Sequence, residues 1–367
     1  MSTDRAPQDV GFRYKKASES TWTNVTYAEG ITASSGSFSV TLDNLAASTT
    51  YDLEAHMSVW NGSTYVEKTK SGQFTTSPAS TNVPTGWLEL PATTGNEDLV
   101  VTMYKSGGTS GSASDRNYTM NYSKSRYAAL WVAYTLTEND VVAGNTGSKN
   151  WTYNNSVFGG QYQVGVTQTN GSYPSNYTNA SAYSRGHQIP SADRTSSTAA
   201  NNQTYYLTNQ TPQLQNKFND SIWGALEKAA RGFVVTDASN TNNYNASFTK
   251  TDVLYVITGP CYGKDGTSET PDYLTASSSV TPNQVPIPKY YWKVFLKVKW
   301  DGDTIQSACA IGFWMEHKAY DNSTYTNYVY SVNQIEAWTG FDLFANLPDS
   351  IEEDVESNTN WQTFQNF

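Results

Sequence analysis

Between Gly11 and Thr76 the chain alternates apolar and polar positions in short runs, GFRYKK, SFSVTLDNL, TYDLEAHMSVW and YVEKTKSGQFTT, broken by Gly, Ser and Asn. Period-two runs at this spacing predict a small antiparallel β-sandwich. The Ser/Pro/Thr/Gly stretch SPASTNVPTG has no periodicity and reads as a connector. The expected organisation is an N-terminal domain at 1–77, a linker at 78–86 and a larger domain at 87–367.

In the larger part, LVVTMYK, AALWVAYTL, VLYVITGP and YWKVFLKVKW predict strands, and residues 204–213 a further strand running into a Pro-containing turn. A helix is expected over 216–231, where Phe218, Ile222, Leu226 and Ala229 recur at helical spacing. IEAWTGF reads as a short helix, SIEEDVE as a solvated helix end, and about 140–182 as a long polar region. Strands and helices mixed in this order make the fold class α+β.

Composition narrows the function classes. Charged residues are 15% and the net charge is -10, which argues against coating nucleic acid by bulk electrostatics. The polar load falls on Ser, Thr and Asn, a composition that looks bacterial and extracellular, secreted, cell-surface or periplasmic. No signal peptide is visible at MSTDRAPQDVGF, and no run of 18 apolar residues predicts a membrane span. Two cysteines, Cys261 and Cys309, allow one bridge or two buried thiols; neither lies in a zinc-type cluster.

HExxH, GxSxG, GxxxxGK[ST] and EF-hand templates are all missing. What stands out in a chain with three histidines is YSRGHQIPSADR, which carries His187 beside Arg185 and Gly186. Downstream, Asn219, Trp223, Glu227 and Arg231 follow one another in steps of four, a polar row drifting slowly around the helix beside its apolar stripe. The set is chemically coherent. An amide oxygen can ligate Mg²⁺, a neutral histidine can accept a proton from water, and arginines can offset charge on a phosphoryl group.

From Leu88 to Pro348 the blocks LWVAYTLT, GSKNW, SRGHQIPSAD, LTNQTPQ, FNDSIWGALEKAAR, YVITGP, IPKYYWKVF and IEAWTGFDLFANLPD resemble the DNA/RNA non-specific endonucleases, ββα-metal enzymes with a (D)RGH signature. The resemblance implies Mg²⁺-dependent, or Mn²⁺-dependent, hydrolysis of DNA and RNA through contacts to the phosphate backbone. His187 then matches the general base and Asn219 the direct metal ligand. Glu227 matches a carboxylate that orients metal-bound water, Arg185 and Arg231 match phosphate-stabilising arginines, and Asn209 an amide near the scissile phosphate. Lys149 stands where an arginine is expected, and Ser184 where the signature has Asp, so its support is expected from elsewhere, with Asp193 as the candidate. Arg194 is counted with Arg185 and Arg231 in the positive site. In the N-terminal part, LDNLAASTTYDLEAHMSVWNG resembles a fibronectin type III domain, with Tyr51 as its corner tyrosine; GFRYKK would be its third strand, with residues 1–10 supplying an edge strand or the domain truncated.

Each feature also has a structural reading. A lone histidine is more often a packing group, and His56 and His317 are read that way. Glu227 and Arg231 could be an ordinary helix pair, Asn219 a helix cap, and the NQT at 209–211 a glycosylation sequon. The alternative from another class is a non-catalytic surface or carbohydrate-binding protein on a decayed nuclease fold, its aromatics serving as stacking surfaces.

Overall fold

The computed structural model of the chain describes residues 8–26, 42, 45–46, 49–76, 86–93, 99–142, 144–158, 160–165, 173, 175–264 and 271–367. It divides into two compact units, Met1–Thr81 and Asn82–Phe367; most of the expected linker lies outside the described residues.

The N-terminal unit contains β1 (Gln8–Lys16), β2 (Thr23–Thr26), β3 (Thr50–Trp60) and β4 (Tyr65–Thr75) in one antiparallel sheet of order β2-β1-β3-β4. Residues 8–10 belong to the same strand as GFRYKK, so they supply no separate edge strand. Lys15 pairs with Asp52 at 2.6 Å across β1 and β3, and Arg13 pairs with Glu54. Tyr51 is buried, stacks on Phe74, and its hydroxyl accepts a hydrogen bond from the Ala46 amide at 2.8 Å.

The larger unit is built on β5 (Leu99–Tyr104), β6 (Arg116–Ser123), β7 (Ala128–Leu136), β10 (Leu254–Cys261), β13 (Tyr290–Asp301), β14 (Thr304–Glu316) and β15 (Val329–Tyr330). They form one seven-stranded antiparallel sheet of order β15-β14-β13-β10-β7-β6-β5. A hairpin of β8 (Tyr183–His187) and β9 (Gln210–Leu214) and a second one of β11 (Asp272–Thr275) and β12 (Gln284–Ile287) stand apart from it. The helices are α1 (Glu138–Val142), α2 (Thr198–Thr204), α3 (Gly224–Val234), α4 (Val332–Thr339), α5 (Asp349–Glu356) and α6 (Trp361–Asn366). The arrangement is α+β.

Both faces of the large sheet are buried, which is why its strands read as nearly continuous apolar runs. One face, with Tyr134, Tyr291 and Phe295, packs on Phe218, Ile222, Trp223, Leu226 and Phe233 from the segment ending in α3. The other, with Trp131, Trp292, Val294 and Leu296, packs on Ile335 and Leu343 from the region of α4. Each large apolar side chain buried on the α3 face contributes about 1.5–3 kcal/mol, enough together to fix the helix on the sheet. Cys261 and Cys309 are free buried thiols.

Three sequence expectations change. The strand expected over 204–213 begins only at Gln210, because α2 and a tight turn at Leu207–Asn209 occupy the residues before it. SIEEDVE is not merely a solvated end: α5 buries Val355 and Glu356. α4 stops at Gly340, whose φ of 75° fits a left-handed helix cap that glycine adopts without steric cost.

Candidate active site

From Tyr183 to Val234 the strands β8 and β9, joined through α2, are followed by the helix α3. β8 and β9 pair antiparallel with Ser184 opposite Gln213, Arg185 opposite Pro212, Gly186 opposite Thr211 and His187 opposite Gln210. Side chains alternate along a strand, so Arg185 and His187 share one face of the hairpin and Ser184 takes the other. Gly186 is required by packing: a Cβ there would lie 2.5 Å from the Gln213 Cβ, inside van der Waals contact.

After β9 the chain turns through Lys217, whose φ is 64°, and then enters α3 by a wide helical turn that ends at Trp223. In an unbroken α-helix, Glu227 would lie roughly 80° around the axis from Asn219, and Arg231 roughly 120°. Instead the Gly224 amide donates to the Asn219 carbonyl, five residues back. Such a turn absorbs one extra residue and brings both positions to within about 20° of the Asn219 direction. The drift expected from four-residue steps is thus taken out where the candidate metal ligand stands.

On one face of the hairpin, His187 is enclosed by aromatic rings. Its ring centroid lies 4.7 Å from that of Trp151 and 4.8 Å from that of Tyr205. Burial lowers its pKa to about 4, so the imidazole is neutral at pH 7. Its Nε2 is shut from solvent and has no hydrogen-bond partner among the described residues. Arg185, 2% exposed, sits over the same Trp151 at 5.8 Å. Burial lowers its pKa, partly offset by Tyr173, and the guanidinium remains cationic. Trp151 and Tyr205 were not singled out in the sequence; only the GSKNW block pointed toward the first.

The Asn219 amide nitrogen donates to Ser184 Oγ at 2.9 Å and to Gln215 Oε1 at 3.4 Å. Ser184 in turn donates to the Gln213 carbonyl at 3.2 Å. Asn219 Oδ1 makes neither bond, so the amide is oriented with its oxygen as the remaining ligand atom. The support expected from Asp193 is therefore supplied by Ser184 itself, with a hydroxyl as the acceptor. No group of three or more His, Cys, Asp or Glu side chains suited to a metal occurs among the described residues. A single oriented amide oxygen fits a hard cation such as Mg²⁺, which keeps several waters.

Beneath the hairpin lies a buried cluster of charges. Arg231, 9% exposed, donates to Asp193 Oδ1 and to Asn243 Oδ1, both at 2.8 Å. Burial pulls its pKa down, but the Asp193 charge and hydrogen bond more than compensate and leave it raised. Asp193 Oδ2 also accepts from Tyr134 at 2.9 Å. Glu227 is pushed up by burial, against the charges of Lys293 and Arg231. Lys293 lies fully buried on β13, within the strand run YYWKVFLKVKW, where no spacing ties it to the residues of the helix.

Three expected contributors have other placements. Arg194 is fully buried and spends its guanidinium on Asn117, Asp193 and Thr135 backbone or amide oxygens, so it braces β6 and β7 instead of joining a positive site. Asn209 is fully buried; its Oδ1 accepts from the Ile189 amide at 3.0 Å, and its Nδ2 donates to the carbonyls of Ile189 at 3.0 Å and Thr204 at 2.8 Å. With both amide protons used, it clamps the chain just beyond His187 and is not open to a phosphate or a glycan. Lys149 is exposed at a φ of 58°, in a loop tied to α2 by Gly147 and Ser148 amides that donate to Asn201 and Asn202. His317 is structural: its Nε2 accepts from the Leu214 amide at 2.8 Å at the entrance to the wide turn.

The profile of the DNA/RNA non-specific endonucleases matches residues 96–350. A nuclease of Nostoc sp. is 28% identical over 245 residues, covering 65% of this chain and 75% of the relative. A nuclease of Syncephalastrum racemosum is 29% identical over 247 residues, covering 67% and 71%, and the nuclease of Serratia marcescens is 26% identical over 247 residues, covering 65% and 77%. Among solved structures, an EndoG chain from its complex with EndoGI aligns with a TM-score of 0.49 at 19% identity, covering 64% of this chain and 85% of its own. With the matched region spanning the strand–strand–helix unit of His187 and Asn219, the chain belongs to the DNA/RNA non-specific endonuclease family.

Proposed function

We propose that the chain hydrolyses phosphodiester bonds in DNA and RNA with little sequence preference, with Mg²⁺ or Mn²⁺ held at Asn219. The observation that carries this reading is His187: a neutral imidazole whose buried Nε2 has no partner, on the same strand as Ser184, which orients Asn219. His187 accepts the proton of the attacking water, with its ring kept in place by Trp151 and Tyr205. Arg185 binds the phosphate charge from the same face. Ser184 fixes the Asn219 amide, and Glu227 would orient water about a cation held there. The bound divalent ion supplies Lewis-acid stabilisation of phosphoryl and leaving-group charge. Arg231 contributes less directly, since its guanidinium is paired with Asp193.

Recognition through the phosphodiester fits a site whose charge is local, on a chain of net charge -10. The Ser/Thr/Asn-rich composition supports action outside the cytoplasm. The hydrogen bond that the Ala46 amide donates to the Tyr51 hydroxyl supports reading the N-terminal unit as fibronectin type III-like, a spacer or attachment module.

Incubation with plasmid, single-stranded DNA and RNA, each with Mg²⁺ and with EDTA, tests the proposal. Metal-dependent cleavage of all three is expected. Loss of the His187 base should lower the rate roughly 10²–10⁴-fold; a His187→Ala protein as active as its parent would remove the mechanism.

A further inference from the structure

Lys293 lies in the middle of β13, between its partners Thr258 on β10 and Phe313 on β14. It is 0% exposed, and its Nζ has no hydrogen-bond partner among the described residues. The ammonium stands 5.0 Å from the Trp223 ring, one helical turn before Glu227. An ammonium withdrawn from water is costly unless an opposite charge faces it.

The charges that act on it are those of Glu227 and Arg231 on α3 and Asp193 on the loop after β8, with Tyr134 of β7 bonded to Asp193. Arg231 and Asp193 already pair with each other at 2.8 Å. That pairing divides the four charges into two couples and leaves Lys293 as the counter-charge of Glu227. The electrostatics agree: burial pushes Glu227 up and Lys293 down, and for each the other's charge is the largest opposing influence.

We infer that Lys293 is a positioning residue of the nuclease centre, whose buried ammonium is the counter-charge of the Glu227 carboxylate. The inference rests on the role given to Glu227 above. A methionine at 293 would fill similar space without the charge, and the carboxylate would then protonate at higher pH.

Two measurements test this. In the first, kcat/KM for plasmid cleavage is followed against pH at saturating Mg²⁺. The acid limb of Lys293→Met should move up by about one pH unit or more, and Lys293→Arg should bring it back; an unmoved limb overturns the inference. The second is made in EDTA and needs no activity: urea unfolding of Lys293→Met, Glu227→Gln and the double variant. The double should be more stable than Lys293→Met alone, because the uncompensated carboxylate is gone, whereas additive losses overturn the pairing. A Lys293→Met chain that folds only when Glu227→Gln is added counts in favour, and one that stays unfolded in the double counts against. Full activity of Glu227→Gln would instead remove the assignment of Glu227 to the reaction, and the EDTA cycle would still decide the pairing.

Discussion

Ser184→Ala is the substitution whose consequence the geometry defines most closely. It removes the acceptor of the Asn219 Nδ2 bond at 2.9 Å and the donor to the Gln213 carbonyl at 3.2 Å. Neutral hydrogen bonds contribute about 1 kcal/mol each to stability, so the fold should lose about 1–2 kcal/mol and survive. The larger effect is local. Asn219 retains only the 3.4 Å contact to Gln215, and its amide is freer to turn its oxygen away. Loss of such an outer partner typically weakens metal binding about 10–100-fold, equivalent to about 1.4–2.7 kcal/mol. The assay is plasmid cleavage against Mg²⁺ concentration. Half-saturation should move up by that factor, while the rate at saturating metal changes only a few-fold. Ser184→Asp should move half-saturation the other way, since an ionised acceptor makes a stronger bond. If Ser184→Ala left half-saturation unchanged and lowered only the saturated rate, the orienting role of Ser184 would be wrong.

Gly186→Ala should destabilise the chain by about 1–3 kcal/mol in urea unfolding, because the new methyl meets the Gln213 side chain, and adding Gln213→Ala should return part of the loss. Asn209→Ala removes three buried hydrogen bonds and should lower stability by about 2–4 kcal/mol in the same measurement; activity loss with undiminished stability would show that Asn209 acts on substrate after all. Burial holds His187 and His317 down at about 4, so the unfolded chain takes up their protons first, and stability should fall as pH drops from about 6.5 toward 4. Glu336, Glu352 and Glu356 are pushed up by burial to about 7, 8 and 9; there the folded chain holds protons longer, and stability should decline as pH rises from about 4.5. Thermal unfolding in EDTA should therefore show a maximum in between, and Glu356→Gln should raise the midpoint near pH 8 with little effect near pH 4; no gain near pH 8 would refute the assignment.

Local pattern made much of this legible. Period-two runs marked the N-terminal strands and apolar runs those of the large sheet, while the spacing of Phe218, Ile222, Leu226 and Ala229 marked the helix, because burial on one face or on both imposes its own pattern. The types and order of Arg185, Gly186, His187, Asn219 and Glu227 marked the candidate site, because proton acceptance and oxygen ligation need such groups. The tertiary structure decided what depends on partners distant in sequence. It took Arg194 and Asn209 out of the site, since a buried guanidinium or amide must be satisfied and the satisfying carbonyls come from other segments. It gave Ser184 to Asn219, 35 positions away, and it inserted the wide turn between Asn219 and Glu227, which no regular period announces. It also placed Lys293 under Glu227, because side chains brought together by a sheet and a helix from different parts of the chain leave no spacing to read.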